Sequence, residues 1–110
     1  MSWSTVLIGT KEEIGAKIEV EKERLTGVMA TAPATEVEDM RTTLERAKFY
    51  AEGIDLAAYN ALYSGSADKI RVEAGGSQSF MPVNPGQGNG KPIVFSASVR
   101  LEVTPIVSQS

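Results

Sequence analysis

Three basic residues in the C-terminal half of the chain could bind an anion. Arg71 and Arg100 occupy polar positions of alternating segments, and Lys91 follows the glycine-rich run at 86–90. Guanidinium and ammonium groups bind phosphate, and the amides of a glycine-rich turn, that of Gly88 among them, can form an anion-binding nest. The same glycines are also typical of a plain turn that needs positive φ angles. The pattern therefore favours either an anion site or a simple turn.

The glycine-rich run differs from a phosphate loop of the Walker type. Such a loop ends in lysine followed by serine or threonine at the start of a helix. Here Lys91 is followed by Pro92 and an apolar alternating segment, which is typical of a strand. The run is not expected to form a Walker loop.

Two apolar residues, Phe80 and Met81, lie in the otherwise polar stretch 75–92. They could fill the protein's own core, or dock into a neighbouring subunit or stack on a base. The stretch itself is predicted to be either a projecting β-arm or a loose loop of a length that indicates function or disorder. Both alternatives stay open at this point.

The chain has little of the usual equipment for catalysis. It contains no histidine and no cysteine. Its acidic clusters, at 12–13, 21–23 and 36–39, fall at helix starts or on faces rich in lysine and arginine, where caps and solvated surfaces are expected. A serine–lysine pair involving Lys69 or Lys91 has no motif behind it. We therefore expect a non-enzymatic protein without metal or cofactor.

Composition limits the class of protein and its partners. The 110 residues fit a single domain, 1–110, and the net charge of −3 comes without a basic block, which is unfavourable for duplex nucleic acid. No apolar run is long enough to span a bilayer, and the N-terminus has no basic region of a signal peptide. A cytoplasmic protein is expected.

Hydrophobic periodicity predicts a strand at 3–9 followed by two helices. Thr10 and Glu13 form a capping-box pattern that starts a helix over 11–30. Thr35 and Glu38 repeat that pattern and start a long helix over 35–63, with a bend at Gly53 and a possible second cap at Asp55. Apolar residues recur on one face of this long helix at Val37, Met40, Leu44, Ala47, Ala51, Ile54, Ala58 and Leu62.

Two further alternating segments predict strands, at 69–75 and from Pro92 to Val107. We expect them to form a long hairpin in which Ile70 lies opposite a residue near Val103, and Pro105 ends the ladder or lies on an edge. The predicted fold is an α+β, β-α-α-β-β two-layer sandwich, in which an αα-hairpin packs on a small antiparallel sheet with a long β-hairpin.

The long helix also carries apolar residues outside its main face, among them Phe49, Tyr50 and Leu56. Something must cover them, either the protein's own sheet and first helix or another subunit. Together with the small sheet and its two edges, this indicates a homo-oligomer that forms contacts through the helix hairpin, the β-arm, or both.

The whole pattern, WSTVLIGTKEEIGAKI, a long helix, then KIRVEAGG and VFSASVRLEV, resembles small accessory proteins of tailed bacteriophages. The resemblance covers most of the chain but carries over no site residues. It implies a phage-encoded or phage-derived, non-catalytic protein, which would work in the host cytoplasm if it is phage-encoded.

Two functions follow as hypotheses. The first is an oligomeric binding protein that sequesters a small anionic, nucleotide-type ligand or a host factor, for example against host defence. Its expected ligand contacts are Arg71, Arg100, Lys91, Phe80 and Gly88. The second is a virion or assembly protein whose β-arm and long helix join its subunits.

Overall fold

The computed structural model of the chain describes residues 3–63, 65–76, 92–96 and 99–106, with side chains for all of these except 63 and 92–100. The described elements follow the order β1–α1–α2–α3–β2–β3–β4. Their bounds are β1 Ser4–Thr10, α1 Lys11–Val28, α2 Ala34–Gly53, α3 Leu56–Tyr63, β2 Lys69–Gly76, β3 Pro92–Ser96 and β4 Val99–Ile106. The α+β class is confirmed: a helix hairpin packs on one face of an antiparallel sheet.

The four described strands have the order β1-β2-β4-β3. The predicted antiparallel pairing of β2 with the last strand is confirmed, but Ile70 lies opposite Pro105, two residues beyond the expected Val103. The predicted single strand over 92–107 is wrong. It is two strands, β3 and β4, which pair with each other so that Ser96 lies opposite Val99.

Helix α1 begins as predicted. The Thr10 hydroxyl accepts a hydrogen bond from the Glu13 N–H at 3.2 Å, and the Glu13 carboxylate accepts one from the Thr10 N–H at 3.0 Å. Together these two bonds pair backbone donors that the first turn would otherwise leave without partners. The spacing of four apolar residues predicts the buried face of α1: Ile14, Ile18, Leu25 and Val28. Val28 is exposed, however, and Met29 is buried in its place.

Helix α2 begins differently from the prediction. Pro33 occupies the N-cap position and its carbonyl accepts hydrogen bonds from the N–H groups of Glu36 and Val37. The helix therefore starts at Ala34, and Thr35 lies within its first turn. The capping box predicted from Thr35 and Glu38 is not formed.

The predicted long helix is divided in two at Ile54 and Asp55. The bend predicted at Gly53 is confirmed, and it is a break that separates α2 from α3. The Asp55 carboxylate accepts a hydrogen bond from the Ala58 N–H at 3.0 Å and so caps α3. The Lys11 ammonium donates to the Ile54 carbonyl at 2.6 Å, which ties the end of α2 to the start of α1.

The core lies between the helices and the sheet. Helix α1 packs on β1, while α2 packs on β2 and β4. The fully buried side chains include Ile14, Ile18, Met40, Leu44, Ile70, Val72 and Leu101. The predicted α2 stripe is buried from Met40 to Ala51, but its last member, Leu62, is 75% exposed.

Asn60 fixes the passage from α3 into β2. Its side-chain amide donates to the Ala67 carbonyl at 3.0 Å, and its side-chain oxygen accepts from the Ala67 N–H at 2.7 Å. The two bonds imitate a pair of backbone bonds between strands. They hold the 65–68 segment in place and set where β2 begins.

Candidate functional site

Two of the predicted binding residues, Arg71 and Arg100, lie at positions of the sheet face that points away from the helices, which we call the outer face. Alternation along the strands places Ser4, Val6 and Ile8 of β1 there. Their direct partners on β2 are Gly75, Glu73 and Arg71, and the β4 residues opposite those are Arg100, Glu102 and Thr104. The outer face therefore consists of three cross-strand rows, and two of the predicted contacts belong to it.

Arg71 lies in the row with Ile8 and Thr104. Its guanidinium Nη1 lies 2.6 Å from Oε2 of Glu73 on the same strand, and both side chains are half-buried. This ion pair compensates the charge of Arg71. An anion that approached Arg71 would compete with the Glu73 carboxylate.

The next row contains two acids. Glu73 lies directly opposite Glu102, and Val6 completes the row on β1. Like charges directly opposite each other on neighbouring strands repel. The Arg71 guanidinium reduces that repulsion by pairing with Glu73.

Arg100 occupies the third row, opposite Gly75, with Val94 of β3 on its other side. The two predicted arginine contacts are not adjacent. The observed register separates them by four residues along the strands, which is roughly 13 Å at the usual rise per residue. They share a face, but the acidic row lies between them.

The centre of the third row is a glycine. Gly75 has no side chain, is buried, and lies between Ser4 and Arg100. Ser4 is exposed and carries a hydroxyl, which can donate to or accept from a ligand. The remaining predicted contacts, Phe80, Gly88 and Lys91, lie outside the described residues.

Two members of the acidic clusters that were weighed for catalysis, Glu13 and Glu21, have structural partners, and so do other acids on the helix surfaces. The hydrogen bonds from the backbone and hydroxyl of Thr10 lower the pKa of Glu13. On the surface between α1 and α2, Lys22 bonds Glu45 and lies 3.2 Å from a Glu19 oxygen, while Lys48 lies 3.6 Å from the same oxygen. These contacts support the interpretation as caps and helix-surface ion pairs.

Glu21 is a polar residue whose role the sequence analysis missed. Its carboxylate accepts a hydrogen bond from the hydroxyl of Thr5, a buried residue of β1, and another from Nε of Arg24. The Arg24 bond, with help from Thr5, lowers the pKa of Glu21 although partial burial acts in the opposite direction. The interruption of the apolar stripe at position 21 was the available signal.

Two searches of the described residues gave negative results. Within residues 3–63, 65–76, 92–96 and 99–106, no three acidic, histidine or cysteine side chains are grouped so that they could hold a metal ion. Of the described helices, none combines the length and the apolar character that crossing a membrane requires.

Comparisons with known proteins add no assignment to this geometry. No family model, curated protein or solved structure matches the chain.

Proposed function

We propose that this chain is a non-catalytic binding protein that holds an anionic, nucleotide-type ligand at the Arg100 end of the outer face. The observation that supports the proposal is the row formed by Ser4, Gly75 and Arg100. A position without a side chain there lies between a hydroxyl-bearing and a guanidinium-bearing residue. Such a row offers a hydrogen-bonding group and a positive charge.

The Arg100 end suits an anion better than the Arg71 end does. The Glu73 carboxylate already pairs with the Arg71 guanidinium at 2.6 Å. A phosphate near Arg71 would compete with that carboxylate. Arg71 thus serves the ion pair with Glu73, while Arg100 is the principal cation for a ligand.

The other expected contacts come from the sequence. Lys91 precedes Pro92, the first residue of the strand that pairs with β4. In this proposal Lys91 supplies a second cation, Gly88 supplies a backbone amide, and Phe80 stacks on the base. In the phage setting that the sequence resembles, the protein would act in the host cytoplasm by sequestering a signalling nucleotide and so blunting host defence.

Thermal unfolding tests this proposal directly. Cyclic dinucleotides and ADP-ribose-type nucleotides are added to the full chain at millimolar concentration, and the melting temperature is recorded. A ligand that binds only the folded state at 100 times its Kd stabilises it by about 2.7 kcal/mol. If no nucleotide raises the melting temperature, the proposal is wrong.

A matched pair of variants then locates the site. We expect Arg100→Ala to abolish the shift, whereas Arg41→Ala, which removes an exposed arginine of α2, retains it. An equal shift in both variants would reject the Arg100 end as the site while leaving nucleotide binding itself intact.

A second function, that of a virion or assembly protein, is favoured by a different observation. Phe49 on α2 and Leu62 on α3 are 73% and 75% exposed, and buried contacts between subunits would cover such side chains. Mass spectrometry of purified phage particles distinguishes the two functions. An assembly protein is present in the particles in stoichiometric amounts, and its absence from them excludes this function.

A further inference from the structure

Strand β1 forms one edge of the sheet, and its hydrogen-bonding groups alternate between β2 and the outside. The Gly76 N–H donates to the Trp3 carbonyl at 3.0 Å, which sets the phase of this alternation. Residues 3, 5, 7 and 9 therefore bond β2. The residues that direct their N–H and C=O groups away from β2 are Ser4, Val6, Ile8 and Thr10.

The composition of β1 would suit pairing with a further strand. The segment STVLIGT contains no charged residue and no proline, and Val6 and Ile8 are each about half exposed on the outer face. Uncharged edge strands of this kind readily accept another strand unless something blocks them.

Side chains of α1 occupy two of the outward groups. The Lys17 ammonium donates to the Ile8 carbonyl at 2.7 Å, and the Thr10 N–H donates to the Glu13 carboxylate at 3.0 Å. Lys17 lies six residues along α1 from Lys11, beyond the first turn of the helix. Its contact with Ile8 is therefore a tertiary contact and not part of the helix cap.

Gly9 provides the room for this contact. A Cβ atom at position 9 would lie 3.2 Å from Cδ and 3.3 Å from Cε of Lys17. These distances are tighter than ordinary van der Waals contact. The absence of a side chain at Gly9 therefore lets the aliphatic part of Lys17 cross the strand and reach the outward carbonyl of Ile8.

The Ile8 carbonyl is the group that pairing with a second copy would need. An antiparallel β1–β1 pair centred on Val6 places Ser4 of each chain opposite Ile8 of the other, with the Ser4 N–H donating to the Ile8 carbonyl. The Lys17 ammonium already donates a hydrogen bond to that carbonyl, so the carbonyl is not available to Ser4 of a second copy. Two-fold symmetry places the same bond at both ends of the pair. We propose that Lys17, lying across Gly9, guards the β1 edge against pairing with β1 of a second copy.

The test compares the mass in solution of three chains at the same protein concentration, using light scattering after size-exclusion chromatography. Lys17→Met keeps the aliphatic chain but removes the donor. We expect its mass to be twice that of the wild type at high concentration. Lys48→Met, which removes an equal charge from the α1–α2 surface, should match the wild type.

The double variant Lys17→Met/Val6→Pro shows whether the new contact uses β1. The Val6 N–H points outward, so proline removes no bond to β2 but blocks edge pairing. We expect it to restore the wild-type mass. Gly9→Ala, which crowds Lys17, should raise association in the same direction to a smaller extent, and provides a second route should Lys17→Met unfold. Circular dichroism checks that each variant is folded.

Three outcomes would overturn the proposal. The first is that neither Lys17→Met nor Gly9→Ala associates more than the wild type. The second is that Lys48→Met associates as strongly as Lys17→Met, which would make the effect one of net charge. The third is that Val6→Pro leaves the association of Lys17→Met unchanged.

Discussion

Glu21 illustrates how a single charged residue can replace an apolar one on a core-facing helix. It lies where the stripe of Ile14, Ile18 and Leu25 would continue, and hydrogen bonds from Thr5 and Arg24 satisfy its carboxylate. A partly buried carboxylate is tolerated only when such partners are present. The sequence could show the interruption of the stripe but not its partner on β1, because that contact depends on how α1 is placed on the sheet.

The lowered pKa of Glu21 predicts how stability depends on pH. Because the carboxylate is harder to protonate in the folded state, it contributes stability above its unfolded-state pKa, and this contribution is lost as the pH falls through the folded-state value. We expect Glu21→Gln to be less stable than the wild type at neutral pH, and the difference to shrink as the pH falls below 4.5. Urea unfolding at a series of pH values measures this.

Glu23→Gln is the control for that experiment, since Glu23 is an exposed carboxylate on the same helix. It should unfold like the wild type at every pH. A Glu21→Gln variant whose deficit stays constant from neutral to acid pH would contradict the assignment of the bonds to the ionised carboxylate.

At the scale of elements, local signals were reliable where the chain itself provides both partners. The capping box of Thr10 and Glu13 is complete within four residues and formed as predicted. The same pattern at Thr35 failed because the Pro33 carbonyl starts the helix earlier and leaves Thr35 in helical geometry. Pro33, with its fixed φ angle, therefore starts the helix in place of the predicted side-chain cap.

The division of the last segment into β3 and β4 could not be read from the sequence. Its alternation of apolar and polar residues continues from one strand to the next without interruption, and Ser96 of β3 pairs with Val99 of β4. The segment contains no glycine, asparagine or aspartate, the residues that usually indicate a tight turn between strands. Whether this segment forms one strand or two depends on pairing between strands, which is a tertiary property.

The cap of α3 can be tested in isolation. Asp55 accepts the Ala58 N–H at 3.0 Å after the break at Ile54, and replacing an N-cap aspartate by alanine typically costs about 0.5–2 kcal/mol. We expect Asp55→Ala to lower the free energy of unfolding by that amount and Asp55→Asn to retain most of it, because asparagine also caps. Equal losses in the two variants would show that the charge, and not the cap, is what matters.

At the scale of the whole molecule, the two-layer arrangement could be predicted and the exposed surface could not. Periodicity identifies which residues of α2 face the sheet, and Met40, Leu44, Ala47 and Ala51 are fully buried there. Periodicity does not say what covers the opposite side. The register of the sheet, which sets the distance between Arg71 and Arg100, is also decided by packing and not by local pattern.

The exposed aromatic surface of α2 gives the test of self-association. Phe49 is 73% exposed, and its ring meets that of Tyr50 edge to face with 5.7 Å between the centroids. If subunits associate through the helix hairpin, Phe49 is buried between them, and a charge at this position has to be desolvated. We expect the wild type to sediment as a species larger than the 11.8 kDa monomer and Phe49→Glu to reduce it to the monomer.

Val20→Glu serves as the matched control, because Val20 is 70% exposed on α1 and the substitution adds the same charge. It should leave the sedimentation of the protein unchanged. Because Phe49 lies outside the core, Phe49→Glu should unfold at the same urea concentration as the wild type does when it is diluted to the monomer. A loss of mass in this variant then reports on the interface alone. A wild type that sediments as a monomer at all concentrations would remove the helix hairpin as an interface and would leave ligand binding by a single chain as the remaining form of the proposed function.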